Sequence, residues 1–282
     1  MKFGTGFALR AAEDASALRA TAQAYDEAGL DFVSIGGHLL SAEAGRFADR
    51  PTMTYAGPFH EPFVLFSHLA AVTSRLHFRT SILILPLLPT AAVAAQAAEL
   101  AILSGGRLEL GLGLSWNEVE YAALGQNPRT RGQRMDEQLE VLQRLWTEPF
   151  VEYEGRWHHF DRVGLNRTVP KIPIWIGSTT DERALRRAAR FADGWLPMGM
   201  PTDETLSQLR GWVAEAGRDP STFGLTLRLA LGDEPSEWVA EARRLEAMGA
   251  THLGLAAAPD LAPAEAQARI VEAVGVLRGE LG

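Results

Sequence analysis

An apolar run in this chain feeds directly into hydroxyls. Pro173-Ile174-Trp175-Ile176 is followed by Gly177-Ser178-Thr179-Thr180 and then by a helical stretch. Gly177 lets backbone approach a ligand closely. Ser178, Thr179 and Thr180 bring O–H and N–H donors to a helix start, chemistry suited to a phosphate. An ordinary helix cap, with Ser178 facing Asp181 three residues on, fits the same residues. Asp181 and Glu182 would also compete with an anion for the positive helix end. A second segment runs from Ser104-Gly105-Gly106-Arg107 through Leu108 to Leu112 into Gly113-Leu114-Ser115-Trp116-Asn117-Glu118. Its Gly-x-Gly lacks the third glycine of a dinucleotide fingerprint. At a strand end it gives a backbone low enough for a flat ring, with Trp116 and Asn117 at the rim. Simple packing of Trp116 is the alternative. His38 follows Gly36-Gly37 at another strand end, where an imidazole suits proton transfer, although a lone histidine is more often structural.

Other groups are excluded or plain. With no cysteine in the chain, thiolate catalysis, disulfides and Cys-zinc sites are ruled out. His60, His68, His77 and His252 show no chelating spacing. His158 and His159 would face opposite ways in a strand, so no metal site is expected. No Gly-x-Ser-x-Gly elbow is present, which disfavours a serine hydrolase. Ser81-Ile82-Leu83-Ile84-Leu85-Pro86 reads by itself as core. Arg129, Arg131 and Arg134 read as a solvated helix start that could also attract an anionic coenzyme tail.

The elements that must position these residues alternate along the chain. Strands are expected at Lys2 to Leu9, Asp31 to Ile35, His77 to Leu85, Leu108 to Leu112, Ile172 to Ile176, Gly194 to Pro197, Phe223 to Leu231 and Thr251 to Leu255. Helices fall between them, as in Arg131 to Trp146, where Met135, Leu139, Leu142 and Leu145 share one face. Eight strands separated by helices predict an α/β fold, a single (β/α)8 TIM barrel over 1–282, with a doubly wound open sheet as the runner-up. Val151 to Asn166 interrupts the alternation as an insertion between the fourth and fifth strands. Its aromatic residues around Trp157 suggest a wall or lid for substrate. Ser41 to His60 is a long loop expected over the C-terminal mouth, where barrel active sites lie.

The 282 residues and net charge of −8 bound the partners. One barrel needs roughly 250 residues. The acidic balance argues against nucleic acid and acidic membranes. No apolar run is long enough to span a bilayer, and Met1 to Leu9 is too short for a signal peptide. A cytoplasmic protein acting on a small molecule is expected.

Two segments together, Ser104 through Trp146 and Gly155 through Trp195, resemble the luciferase-like monooxygenase family in its F420-dependent oxidoreductase branch. The most specific pieces are Gly111-Leu112-Gly113 with Trp116-Asn117-Glu118, and Pro173 to Ser178 with Ala189-Arg190-Phe191-Ala192-Asp193-Gly194-Trp195. The resemblance implies a barrel holding a deazaflavin (coenzyme F420) or flavin (FMN) at its C-terminal mouth, and a homodimer. It implies a cis peptide at Ser81–Ile82 behind the coenzyme ring, a phosphate on Gly177 to Thr180, and His38 near the reactive ring edge. Three functions are then open: an F420-dependent hydride-transfer enzyme, an FMN-dependent monooxygenase, and a flavin- or deazaflavin-binding barrel without turnover. Departures from the family pattern include Gly37 for an acidic residue, Ser115 for a glycine, Ser178 for the second glycine of a Gly-Gly pair, and Leu114 where sugar-phosphate dehydrogenase relatives carry a proton-donating glutamate.

Overall fold

In the computed structural model, which describes residues 1–7, 14–41, 43 and 59–281, the apolar runs become strands and the amphipathic stretches cover them. The strands are β1 (Lys2–Gly6), β2 (Phe32–Gly37), β3 (His77–Ile84), β4 (Leu108–Gly113), β5 (Val151–Glu154), β6 (His159–Val163), β7 (Ile174–Ser178), β8 (Gly194–Pro197), β9 (Gly224–Ala230) and β10 (His252–Ala256). Eight of them close into a parallel barrel in the order β1-β10-β9-β8-β7-β4-β3-β2, while β5 and β6 pair as a separate ribbon. The expected (β/α)8 barrel and its insertion are both present. Closure requires β1 to pair with β10, as Phe3 with Leu253 and Thr5 with Leu255. An open doubly wound sheet has no such pairing.

The helices are α1 (Ala15–Glu27), α2 (Pro62–Ala70), α3 (Thr90–Leu103), α4 (Glu118–Ala123), α5 (Arg131–Thr147), α6 (Glu182–Phe191), α7 (Asp203–Glu215), α8 (Pro235–Ala247) and α9 (Pro263–Leu281). Gly29 and Gly249, at φ 81° and 97°, end α1 and α8 in the left-handed conformation that a side chain disfavours. α4 is new relative to the sequence reading. It has six residues, too few for periodicity to register. The first strand ends at Gly6 rather than Leu9. Ala8 and Leu9 lie outside the described residues, as does nearly all of the loop from Ser41 to His60.

Strand alternation sorts the core into two shells. Leu110, Leu112, Ile174, Ile176, Leu227 and Leu253 are buried beneath the helices, and their neighbours point to the barrel axis. Near the N-terminal end that axis is filled by an ion pair between aromatic plates. Arg79 donates from Nε to Glu109 Oε2 at 2.7 Å and from Nη1 to Thr226 Oγ1 at 2.9 Å. Its guanidinium lies 4.0 Å from the Phe32 ring centre and 4.1 Å from that of Trp175. His252 packs edge-on against Trp175 at 4.7 Å. Gly4, Gly194 and Gly224 leave room for these rings: a Cβ at any of the three would lie 2.3–2.4 Å from the Phe32 or Trp175 ring. Burial opposes the charge on Glu109, but a hydrogen bond from His77 and the Arg79 guanidinium prevail and draw its carboxyl down to about 2. Burial, aided by the positive Arg79, pushes His252 down to about 3. This layer is the floor on which the mouth is built.

Candidate active site

The bulge in β3 organises the mouth. The Ser81–Ile82 peptide is cis, and the pairing of β3 with both β2 and β4 skips register there, resuming at Leu83 opposite Gly37 and Leu112. The neighbouring strands accept the bulge by having no side chains. A Cβ on Gly111 would lie 1.9 Å from the Thr80 carbonyl oxygen, and one on Gly37 would lie 2.9 Å from Leu83 Cα. A Cβ on Gly113 would meet Ile82 Cδ1 at 2.7 Å, and one on Gly177 would meet Ile82 Cγ2 at 2.3 Å. Gly113 and Gly177 are the positions where the sequence predicts close approach of a ligand. What approaches them here is the side chain of Ile82. Gly37 likewise has its reason: a side chain there would force β2 and β3 apart.

His38 stands one residue beyond β2, beside this bulge. Its Nδ1 is 2.6 Å from Glu120 Oε2. Glu120 comes from α4 and is fully buried. Its Oε1 accepts from the amides of Leu39 and Leu40 at 2.8 and 3.3 Å, and its Oε2 accepts from Asn117 Nδ2 at 3.0 Å. Burial by itself would raise the Glu120 pKa, but the hydrogen bonds from His38 and from the Leu39 amide outweigh it and hold the carboxyl below its ordinary range. An ionised Glu120 accepts a hydrogen bond from Nδ1–H and so favours the tautomer with its proton on Nδ1. Phe59 lies against the imidazole, ring centres 5.2 Å apart.

Asn117 was expected at the rim. The structure buries it, 1 % exposed. Its Oδ1 caps α4 by accepting from Val119 N at 3.1 Å, while its Nδ2 holds Glu120. Trp116 is half-buried beside it. Ser115 takes φ 58°, the left-handed region that explains why a glycine suits this position. The serine compensates by accepting from Asn117 N at 3.1 Å. Leu114, where the glutamate of the sugar-phosphate enzymes would fall, offers its carbonyl to the Tyr121 hydroxyl at 2.5 Å.

The Gly177–Thr180 segment is divided. Ser178 Oγ accepts from the buried Trp195 indole at 3.0 Å, so its oxygen serves the shell between barrel and helices. Thr179 and Thr180 are exposed. Asp181, not Ser178, caps α6, accepting from Ala184 N at 3.2 Å. The Arg131 and Arg134 side chains lie at the start of α5, whose first turns pack on α6 through Arg187 with Asp136 and Gly132. Each of these two arginines has a buried Nε without a hydrogen-bond partner, and Arg129 is exposed. The ribbon β5–β6 is no lid over this site. Glu137 on α5 accepts from the amides of Arg156, Trp157 and His158 at 3.0, 2.9 and 2.8 Å, and His158 reaches Thr90 at 2.5 Å. None of the ribbon's residues lines the mouth cavity. Among the described residues no cluster of three or more metal-ligating side chains occurs.

A cavity of about 790 Å³ opens beside the bulge, with Ser34, Ser81 and Leu196 in its wall and Arg79 in its floor. That volume lies in the range of small-molecule sites. Fold and site together define a (β/α)8-barrel protein with a cavity at the C-terminal mouth. More narrowly, the chain belongs to the luciferase-like monooxygenase family, whose model matches residues 1–275. It is 40% identical over 166 residues to an uncharacterised Mycobacterium tuberculosis protein, covering 57% of each chain. It is 32% identical over 214 residues to the F420-dependent glucose-6-phosphate dehydrogenase of Nakamurella multipartita, covering 72% of this chain and 59% of that one. The matched regions thus span less than two thirds of these relatives' length. A solved F420-dependent secondary alcohol dehydrogenase, in complex with an F420–acetone adduct, superposes with a TM-score of 0.79 at 17% identity, covering 98% of this chain and 99% of that one. At that identity the likeness is one of fold.

Proposed function

We propose that this protein is an F420-dependent oxidoreductase that transfers a hydride between a deazaflavin coenzyme and a small organic substrate in the barrel mouth. The observation that carries the reading is the buried Glu120 holding the His38 imidazole by Nδ1 beside the β3 bulge. A histidine oriented by an ionised carboxylate and set at a strand's C-terminal end is built to move a proton. The relatives named F420-dependent support the choice of coenzyme.

The residues fit such a group. Ile82, seated between Gly113 and Gly177, offers an apolar back wall with Ser81. Arg131 and Arg134 carry unpartnered buried nitrogens, suited to an anionic tail. Thr179 and Thr180, with the backbone after Gly177, would take the phosphate, and Trp116 would flank the ring. The deazaflavin, when bound, supplies the two-electron hydride chemistry. His38 delivers or accepts the accompanying proton at Nε2. Glu120 keeps Nδ1 protonated, and Asn117 keeps Glu120 in place. The same reading carries two further expectations: residues 1–282 act as one luciferase-like domain, and the chain pairs as a homodimer.

The test is a fluorescence titration of the purified protein with F420 and with FMN, followed by anaerobic turnover assays. Preferential F420 binding with hydride transfer is expected. Preference for FMN with oxygen uptake would replace the reading by a monooxygenase. Coenzyme binding without turnover of any substrate would replace it by a binding barrel, and binding of neither coenzyme would overturn it.

A further inference from the structure

Arg228 lines the barrel mouth, with its side chain exposed there. On β9 the residues alternate: Leu225, Leu227 and Leu229 are buried under the helices, while Thr226 receives the Arg79 guanidinium at 2.9 Å from within the barrel. Two residues further along the same strand, Arg228 projects from the same face, one step nearer the mouth. It lines the 790 Å³ cavity together with Ser34, Ser81, Leu196 and Gly254. Its register partner on β10 is Gly254, which adds no side chain to crowd it.

The charge in this cavity is one-sided. Among the described residues its wall holds two arginines and no aspartate or glutamate, in a chain with a net charge of −8. Arg79 is already neutralised by Glu109. The Arg228 side chain makes no hydrogen bond or ion pair with the described residues. Much of the remaining wall is aliphatic or aromatic, with Leu18, Phe7 and Ile270 toward α1 and α9. A guanidinium on a concavity whose described lining has no carboxylate matches a planar anion through two parallel hydrogen bonds. A single unpaired positive charge, with no lysine or second unpaired arginine among the described lining residues, balances a monoanion and leaves a phosphate dianion half-neutralised.

We propose that Arg228 is the specificity residue of the mouth, and that the substrate is a small organic acid whose carboxylate it grips while the apolar body lies along the cavity wall. This rests on the reading of the mouth as the coenzyme and substrate site. It adds the chemical class of the substrate.

The test uses calorimetry with a set of monocarboxylates from acetate through hexanoate to benzoate, each beside its primary amide. Titrations are run on the protein alone and on the protein loaded with F420. At least one carboxylate should bind roughly tenfold to a hundredfold more tightly than its amide, the range of a charge-assisted hydrogen-bonded pair. Arg228→Gln should abolish that preference, and Arg228→Lys should retain part of it. Both variants should keep wild-type F420 affinity and thermal midpoint, which controls for folding. The proposal is overturned if no carboxylate binds, if acids and amides bind alike, or if Arg228→Gln keeps the preference. It is also overturned if Arg228→Gln loses F420 affinity, which would assign the arginine to the coenzyme. Failure of F420 to bind the wild type would instead count against the coenzyme reading, and the titrations on the protein alone would still decide the role of Arg228.

Discussion

His38 and Glu120 are 82 positions apart, yet the carboxylate faces the imidazole and favours one tautomer. Nitrogen NMR of the wild-type protein should therefore show the His38 proton on Nδ1, and Glu120→Gln should shift the tautomer balance while leaving coenzyme affinity intact. A spectrum unchanged in the variant would remove Glu120 from its positioning role. His38→Ala should lower turnover by roughly a hundredfold or more with the coenzyme still bound; full turnover would end the assignment of His38 as the proton carrier. Gly177 poses a packing question at the same scale. Gly177→Ala places a Cβ 2.3 Å from Ile82 Cγ2, and overpacking of this kind costs about 1–3 kcal/mol. Most of that loss, read by urea unfolding, should vanish in an Ile82→Ala background. An equal loss in both backgrounds would mean that Ile82 is not what Gly177 accommodates.

Between residue and barrel stand the elements, and the floor layer is shared by β2, β3, β4, β7, β9 and β10. Its charge pattern fixes the direction of acid sensitivity. His252 is neutral in the folded state down to about 3, whereas an unfolded imidazole titrates near 6.5. The unfolded chain therefore gains a proton first, and stability falls as pH drops from about 6.5 toward 3, by at most about 1.4 kcal/mol per pH unit. Glu109 acts in the same sense. Its contribution is complete above 4.5, the ordinary value, and is lost as pH falls toward about 2. His252→Gln should flatten the stability curve between about pH 6.5 and 4.5, and a curve of unchanged slope would contradict the buried neutral imidazole. The ribbon β5–β6 gives a second prediction. Because Glu137 holds three consecutive amides, Glu137→Ala should speed hydrogen exchange at Arg156, Trp157 and His158 while the barrel strands keep their protection. Acceleration spread over the barrel would show that the ribbon is integral to the core rather than docked on it.

For the molecule as a whole, closure depends on joining the two ends of the chain. Arg278 on α9 donates to Gly29 O at 2.7 Å and to Asp31 Oδ2 at 2.8 Å, and Asp31 accepts from Phe3 N at 2.7 Å. The pair is partly exposed, so its worth is modest. Arg278→Ala should lower the unfolding free energy by about 1 kcal/mol without altering coenzyme affinity, and a several-fold loss of affinity would link the seam to the mouth.

The count of strands, the alternation with helices, the insertion after the fourth strand, the close packing at Gly113 and Gly177 and the strand-end position of His38 were legible in the sequence. Local periodicity and glycine placement are properties of neighbouring residues, and neighbours are what a sequence displays. The Asn117-x-x-Glu120 spacing was a local signal too, since it reads as a capping box, but nothing local says that the glutamate turns away from its own helix toward His38. Arg228 reads in the chain as an ordinary polar residue on an alternating strand. Which face of β9 is the inside, and that no carboxylate of the described residues lines that space, are decided only when eight strands curve into a closed wall. Likewise the glycines at 113 and 177 could be marked from the sequence as places of close approach, but that Ile82 is what approaches them depends on three strands meeting at one bulge. Contacts between residues far apart in the chain exist only once the barrel has closed, and that is the physical reason they belong to the tertiary structure alone.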